Sequence, residues 1–322
     1  MKYIILLLII FITVIYFSLN KIFVYFLRSD KGESIDKSPN DIEEVKSRLK
    51  IIKDSKYISK YEKSNYDLYI PKKANNLPII IWLHGGAFIS GDKIGTRNFG
   101  PLIADKGYAF FSINYEWAPE KYFPSQIEQL DNFIKYLRED LSKELPIDIS
   151  KIILGGDSAG ANIVASYAAV CRNSILSERV NLRTEIKDEL KGLLLFCGPL
   201  DLRLDPRKIK DRKLKLFMKQ IGWAYCGKRY WWKTELPDLA SPIVWVNKNY
   251  PSTYITDGNV YSFEVQGKMM VDKLEKEKVL VKSRFFKGKE IPHEFQFDYK
   301  KYPKESKEVF NDCIDFLREV IK

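Results

Sequence analysis

The chain has 322 residues, 45% of them hydrophobic, 14% aromatic and 30% charged, with a formal net charge of +11. This composition excludes wholesale disorder and allows one large domain with a substantial core. The positive charge suits an anionic partner, but Lys and Arg are spread along the chain and no nucleic-acid motif appears, so no nucleic-acid partner is expected.

Tyr3 to Leu19 is an almost unbroken apolar run, with Thr13 and Ser18 as mild exceptions, and apolar character resumes from Ile22 to Leu27. About 17 residues at about 1.5 Å rise reach the lower limit for a spanning helix. Lys2 ahead of the run would also suit a cleavable signal peptide. However, the run ends Tyr16-Phe17-Ser18-Leu19-Asn20, without the small residues that a peptidase needs. The expectation is an uncleaved transmembrane helix over residues 1–27, giving a single-pass membrane localisation and contact with membrane lipid. Lys21, Arg28 and Lys31 outnumber Lys2, which favours a cytoplasmic domain, on counts too small to fix the side.

Residues 28–60 are polar and charged and read as a linker leading into an N-terminal cap helix, with a helical-looking stretch from Asp41 to Ile52. Residues 61–322 read as one α/β domain, because short β-rich apolar runs alternate with longer helix-period segments. Strands are expected at Tyr66–Ile70, Ile79–Leu83, Ala109–Asn114, Lys151–Leu154, Gly192–Phe196, Ser252–Ile255 and Val279–Phe286. Helices fall near 96–106, 124–142, 158–171, 263–278 and 303–321. The stretch from about 201 to 245 differs: it is basic, rich in Trp and Tyr, and interrupted by Pro206 and Pro237, so it reads as an insertion over one end of the sheet. Its run from Arg203 to Lys215 reads as a solvated helix face, or as a surface that presses on anionic lipid. Cys171, Cys197, Cys226 and Cys313 show neither metal-ligand spacing nor a disulfide framework and read as buried thiols.

Two glycine-rich turns carry the chemistry. Gly156-Asp157-Ser158-Ala159-Gly160 lies between a strand and a helix, the setting in which G-x-S-x-G presents a nucleophile. A serine on a sharp turn needs very small residues two before and two after it, and the following helix aims its N–H groups at charge developing nearby. Upstream, the strand Ile79–Leu83 ends in His84-Gly85-Gly86-Ala87-Phe88. The backbone N–H groups of Gly85, Gly86 and Ala159 are expected to form an oxyanion hole.

With Tyr115-Glu-Trp-Ala-Pro-Glu120 and Phe123-Pro124 added, these motifs resemble the hormone-sensitive-lipase-like carboxylesterases, over roughly residues 65 to 320. The resemblance implies an α/β-hydrolase fold: a mostly parallel central sheet with helices on both faces and a helical cap. It also implies a Ser–acid–His triad, an acyl-enzyme route, a small-molecule ester substrate with a short acyl chain, and no metal or other cofactor. The family's third loop glycine is here Ala87. Deacetylation of an acetylated sugar, sterol or amide by the same machinery is the alternative, as is a non-catalytic homologue that binds a ligand or partner.

The base and the acid follow the chain order of this fold, serine, acid, histidine. Of the two histidines, His84 belongs to the oxyanion loop, so His293 is the expected base. The acid should lie in Thr256-Asp257-Gly258-Asn259-Val260-Tyr261-Ser262-Phe263-Glu264, but the family's usual position falls on Val260 or Tyr261. Asp257, at a strand end, is the expected acid. Glu264 is the alternative, although it also suits the first turn of a helix that Ser262 would cap.

Overall fold

Eight strands form one sheet in the order β1-β2-β4-β3-β5-β6-β7-β8. They are β1 (Leu49–Lys56), β2 (Asn65–Pro71), β3 (Leu77–Leu83), β4 (Ala109–Ile113), β5 (Ile147–Asp157), β6 (Leu190–Phe196), β7 (Ser252–Asp257) and β8 (Val281–Phe285). The computed structural model describes residues 2–29 and 37–322, with the side chains of residues 2, 5, 6 and 8–17 outside that description. Strands β1 and β2 run antiparallel, and β4, β3, β5, β6, β7 and β8 are mutually parallel.

The central strands are mostly apolar and buried because both faces of the sheet are covered. Ile79, Ile81 and Leu83 point into one core with the helices Ser125–Tyr136 and Ala159–Arg172. Ile80 and Trp82 point into the other, with Phe99–Ala104 and Pro303–Val320. All five expected helices are present.

The expected helix from Asp41 to Ile52 is only partly so. Helix covers Ile42–Ser47, and Leu49–Lys56 is β1, paired through Leu49↔Pro71 to Ile52↔Leu68. An edge strand buried on few positions carries a weak period-2 signal, which a neighbouring helical pattern masks. The remainder of the expected linker falls partly on residues 30–36, outside the described residues.

The membrane anchor is overturned. Among the described residues no helix is long and apolar enough to cross a membrane, so neither the transmembrane helix nor the single-pass localisation stands. Most side chains of the expected span, residues 3–19, lie outside the described residues. Residues 20–28, read as its continuation, pack on protein along one side, while Ile22, Tyr25 and Phe26 are exposed. Val24 is buried, and Asn20 donates to the main-chain and side-chain oxygens of Gln220 at 2.8 and 2.9 Å. Arg28 donates to the carbonyls of Ile89 and Ala118, pairs with Glu120, and lies over the Trp117 ring. An apolar pattern does not distinguish a lipid-facing helix from one that packs on its own domain.

The helix Lys2–Ser29 therefore reaches the stretch read as an insertion, whose main helix is Arg212–Cys226. That helix is capped by Asp211 at its start and by left-handed Gly227 at its end. Arg28→Ala would leave two carbonyls and a carboxylate without their donor. It is expected to cost about 2 kcal/mol, read as a lower Tm together with faster proteolysis of the N-terminal helix.

Candidate active site

The expected site residues lie at, or in the segments that follow, the carboxyl ends of parallel strands, where open α/β sheets place their ligands. Pairing of β3 with β5 sets Leu83 opposite Gly156, so the loop after β3 lies against the turn after β5. Pairing of β5 with β6 and of β7 with β8 brings Phe196 beside Asp157 and Phe285 beside Asp257.

Ser158 occupies a sharp turn with φ 50° and ψ −116°, a conformation that costs a non-glycine residue about 1–3 kcal/mol and persists only where its surroundings enforce it. Its N–H is held by the Phe196 carbonyl at 2.8 Å. The flanking glycines are required by close approach. A Cβ on Gly156 would lie 2.5 Å from the Gly160 carbonyl carbon, and one on Gly160 would lie 2.0 Å from the Leu83 oxygen.

The loop after β3 departs from expectation at Gly85. Its N–H donates to Asp157 Oδ2 at 2.7 Å, so it is not an open oxyanion donor. The other Asp157 oxygen accepts from Trp82 Nε1 at 2.7 Å. Asp157 thus ties the loop to the strand before the nucleophile, a contact between residues 72 apart in the chain. Beyond Gly85 the backbone turns left-handed through Gly86, Ala87 and Phe88, with φ of 116°, 52° and 65°. Successive residues of this kind can turn N–H groups to one side as an anion nest. The N–H groups of Gly86, Ala87 and Ala159 donate to no acceptor among the described residues. His84 is buried, stacked on Tyr115 at 4.4 Å, with Nδ1 2.6 Å from the Gly85 carbonyl, and burial lowers its pKa to about 4. These contacts hold it within the loop after β3 and away from Ser158.

His293 Nε2 lies 3.0 Å from Ser158 Oγ. Burial lowers the pKa of this imidazole to about 4. Asp257 ends β7 and is buried, and Glu264 does not approach the imidazole: it opens the helix Glu264–Lys276 and pairs with Lys268 at 2.9 Å. Yet Asp257 does not touch His293 either. Ser262 Oγ stands between them, 2.6 Å from His293 Nδ1 and hydrogen-bonded to Asp257 Oδ1. The second Asp257 oxygen accepts from Phe263 N at 3.0 Å. Ser262 is therefore not a helix cap; the N-cap position is Phe263.

Residues 66–263 match the model of a family described as BD-FAE. The chain belongs to the BD-FAE family. It is 34% identical over 111 residues to an arylesterase of Saccharolobus solfataricus, covering 34% of this chain and 36% of that protein. It is 34% identical over 181 residues to probable carboxylesterase 6 of Arabidopsis thaliana, covering 53% of this chain and 50% of that one. The chain thus spans half or less of the length of these curated relatives. The fold is that of esterase B from Lactobacillus rhamnosis, with a TM-score of 0.72 at 18% identity, covering 95% of this chain and 94% of that one. These likenesses bear out the resemblance to hormone-sensitive-lipase-like carboxylesterases and the α/β-hydrolase fold.

In this BD-FAE chain two further groups crowd the site. Glu294, left-handed at φ 58°, is half-buried beside Asp157, and a Cβ on Gly85 would lie 2.6 Å from the Asp157 carboxyl and 2.7 Å from that of Glu294. Burial beside the Asp157 carboxylate raises Glu294 well above the usual range, while burial brings Asp157 to about 6. The two carboxyls thus face one another with ionisation of the second disfavoured. Cys197 completes the only group of three metal-ligating side chains found among the described residues, within 4.8 Å of Asp257 and His293. All three are already engaged by protein, Cys197 by Glu294 N and the Gln296 side chain. The structure brings the expected Ser158 and His293 together, two residues that local motifs single out. The contacts of Asp157, Ser262 and Glu294 at this site join distant segments, and no local motif signals them.

Proposed function

We propose that the chain is a serine hydrolase that cleaves carboxylic esters through an acyl-enzyme. The observation that carries this reading is the 3.0 Å contact between Ser158 Oγ on its strained turn and His293 Nε2. His293 Nε2 takes the Ser158 proton as Oγ bonds to the ester carbonyl carbon, and the carbonyl electron pair moves onto oxygen. The N–H groups of Gly86, Ala87 and Ala159 hold that oxyanion, with Gly85 fixing the loop. Collapse expels the alcohol, which leaves with the proton from His293. Water then repeats the sequence on the acyl-serine and releases the acid. Asp257 acts as the acid of the site, at one remove from the imidazole.

Small acyl groups fit best. Tyr225, from the cap helix, stacks on Phe88 of the oxyanion loop with ring centroids 3.8 Å apart, so the cap rests directly on the loop. The domain division that accompanies this reading is a cap, formed by the insertion at about 201–245 with the N-terminal helix, over an α/β-hydrolase body.

A fluorophosphonate probe should label the protein on Ser158, and p-nitrophenyl acetate and butyrate should be cleaved faster than the palmitate. Absence of labelling, together with turnover unaffected by Ser158→Ala, would defeat the reading.

A further inference from the structure

A serine–histidine–acid triad needs no hydroxyl between acid and base, yet one is there. Ser262 Oγ contacts both His293 Nδ1 and Asp257 Oδ1. No hydrogen bond or ion pair joins Asp257 directly to His293, although their ligating atoms lie within 4.8 Å. A serine hydroxyl has one proton to donate and lone pairs to accept, so a chain through it runs in one direction at a time. An ionised Asp257 only accepts. Ser262 O–H then points at the carboxylate, Ser262 Oγ accepts from His293 Nδ1–H, and Nε2 is left with the lone pair that takes the Ser158 proton. When Asp257 carries a proton, its O–H donates to Ser262 Oγ and Ser262 O–H turns to Nδ1. The imidazole then releases its Nδ1 proton to solvent and takes one up at Nε2. An Nε2–H facing Ser158 cannot act as a base.

We propose that Ser262 is a positioning residue that sets the tautomer of His293, with the direction of its hydrogen bonds governed by whether Asp257 is ionised. The proposal rests on the reading of Ser158 and His293 as nucleophile and base.

The surroundings of Asp257 place this reversal at an accessible pH. It faces Ser262 and Phe263 N from its own loop, Cys197 from the end of β6, and His293 and Glu294 from the segment after β8. Neither Lys nor Arg is among these groups. Burial and nearby carboxylates push both the Cys197 thiol and the Glu294 carboxyl up, which disfavours added negative charge beside Asp257. Burial without a cation raises Asp257 to about 7, even against its hydrogen bonds from Ser262, Cys197, Gly258 and Phe263. Activity should therefore rise with pH through the Asp257 titration, and not through that of His293, which burial holds near 4.

The sequence holds only two histidines, so ring-15N spectra of the full chain labelled at histidine resolve His293 against His84. The expected result is a neutral imidazole at both ends of the range, Nδ1–H above about pH 8 and Nε2–H below about pH 6. Ser262→Ala should lower kcat about 10- to 100-fold, with KM within about twofold, and should uncouple the tautomer from the acid limb of the kcat profile. Ser262→Thr keeps the hydroxyl and should restore both. A wild-type tautomer that stays constant from about pH 5 to 9 would overturn the proposal, and so would Ser262→Ala with unchanged kcat and pH profile. Fluorophosphonate labelling separates the two failures. If the wild type is not labelled, the hydrolase reading fails. If wild type and Ser262→Ala label at equal rates at every pH, the role of Ser262 fails alone.

Discussion

Ser158→Ala and His293→Gln should each lower kcat for a short p-nitrophenyl ester by about 10⁵- to 10⁶-fold, and the double variant should be no worse than either. The reason is that nucleophile and base act as one unit. Without His293 Nε2 at 3.0 Å, the Ser158 hydroxyl has no acceptor for its proton; without Ser158, the imidazole has nothing to activate. A residual rate of about 10³-fold over water should survive in all three variants, because the N–H groups of the oxyanion loop remain. Losses that multiply in the double variant would mean that the two residues act in separate steps.

Gly160→Ala should be among the most damaging methyl additions near the site. Its Cβ would lie 2.0 Å from the Leu83 oxygen, 2.6 Å from the Leu83 carbonyl carbon and 2.7 Å from the His84 oxygen. These are backbone atoms of a central strand, not the ends of flexible side chains, and they cannot move aside locally. The helix that begins at Ala159 must shift as a whole, carrying Ser158 away from the loop after β3. The expected cost is about 3 kcal/mol or more of stability. A displacement of about 1 Å at the nucleophile adds about a 100-fold loss of kcat. Urea unfolding and steady-state kinetics on the same preparation read both effects, and an unchanged midpoint would show that the turn has room that this geometry denies it.

The site divides into what local pattern encodes and what it does not. The turn at Ser158 was legible because the geometry that a strained serine demands is met by residues two positions away. His293 was legible because the chain holds only one other histidine, which the loop motif absorbs. The acid was legible only as a choice. Glu264 and Asp257 were separated by the ion pair of Glu264 with Lys268, a partner a helical turn away whose preference for Glu264 no motif records. Ser262 has the composition of a helix cap and the position of a bridge, and only the approach of the segment after β8 distinguishes them. Gly85 has the sequence context of an oxyanion donor, but its N–H is taken by Asp157. In the fold, the central strands were legible from their unbroken apolar runs. Strand β1 was hidden by charges on an edge, and the N-terminal helix was misread because apolar surface does not declare what covers it.

The paired carboxyls of Asp157 and Glu294 have a consequence for the energetics of attack. They lie under the loop where negative charge must accumulate on the carbonyl oxygen. A second full charge there, about 5 Å away at an effective dielectric of about 20, would oppose the tetrahedral intermediate by about 3 kcal/mol, which is about a hundredfold in rate. Burial beside Asp157 raises Glu294 well above the usual carboxylate range, which disfavours that second charge, and the Asp157 carboxylate accepts from the Trp82 indole and the Gly85 amide. Withholding the second charge spares the carbonyl oxygen repulsion from the acid that shapes its cradle.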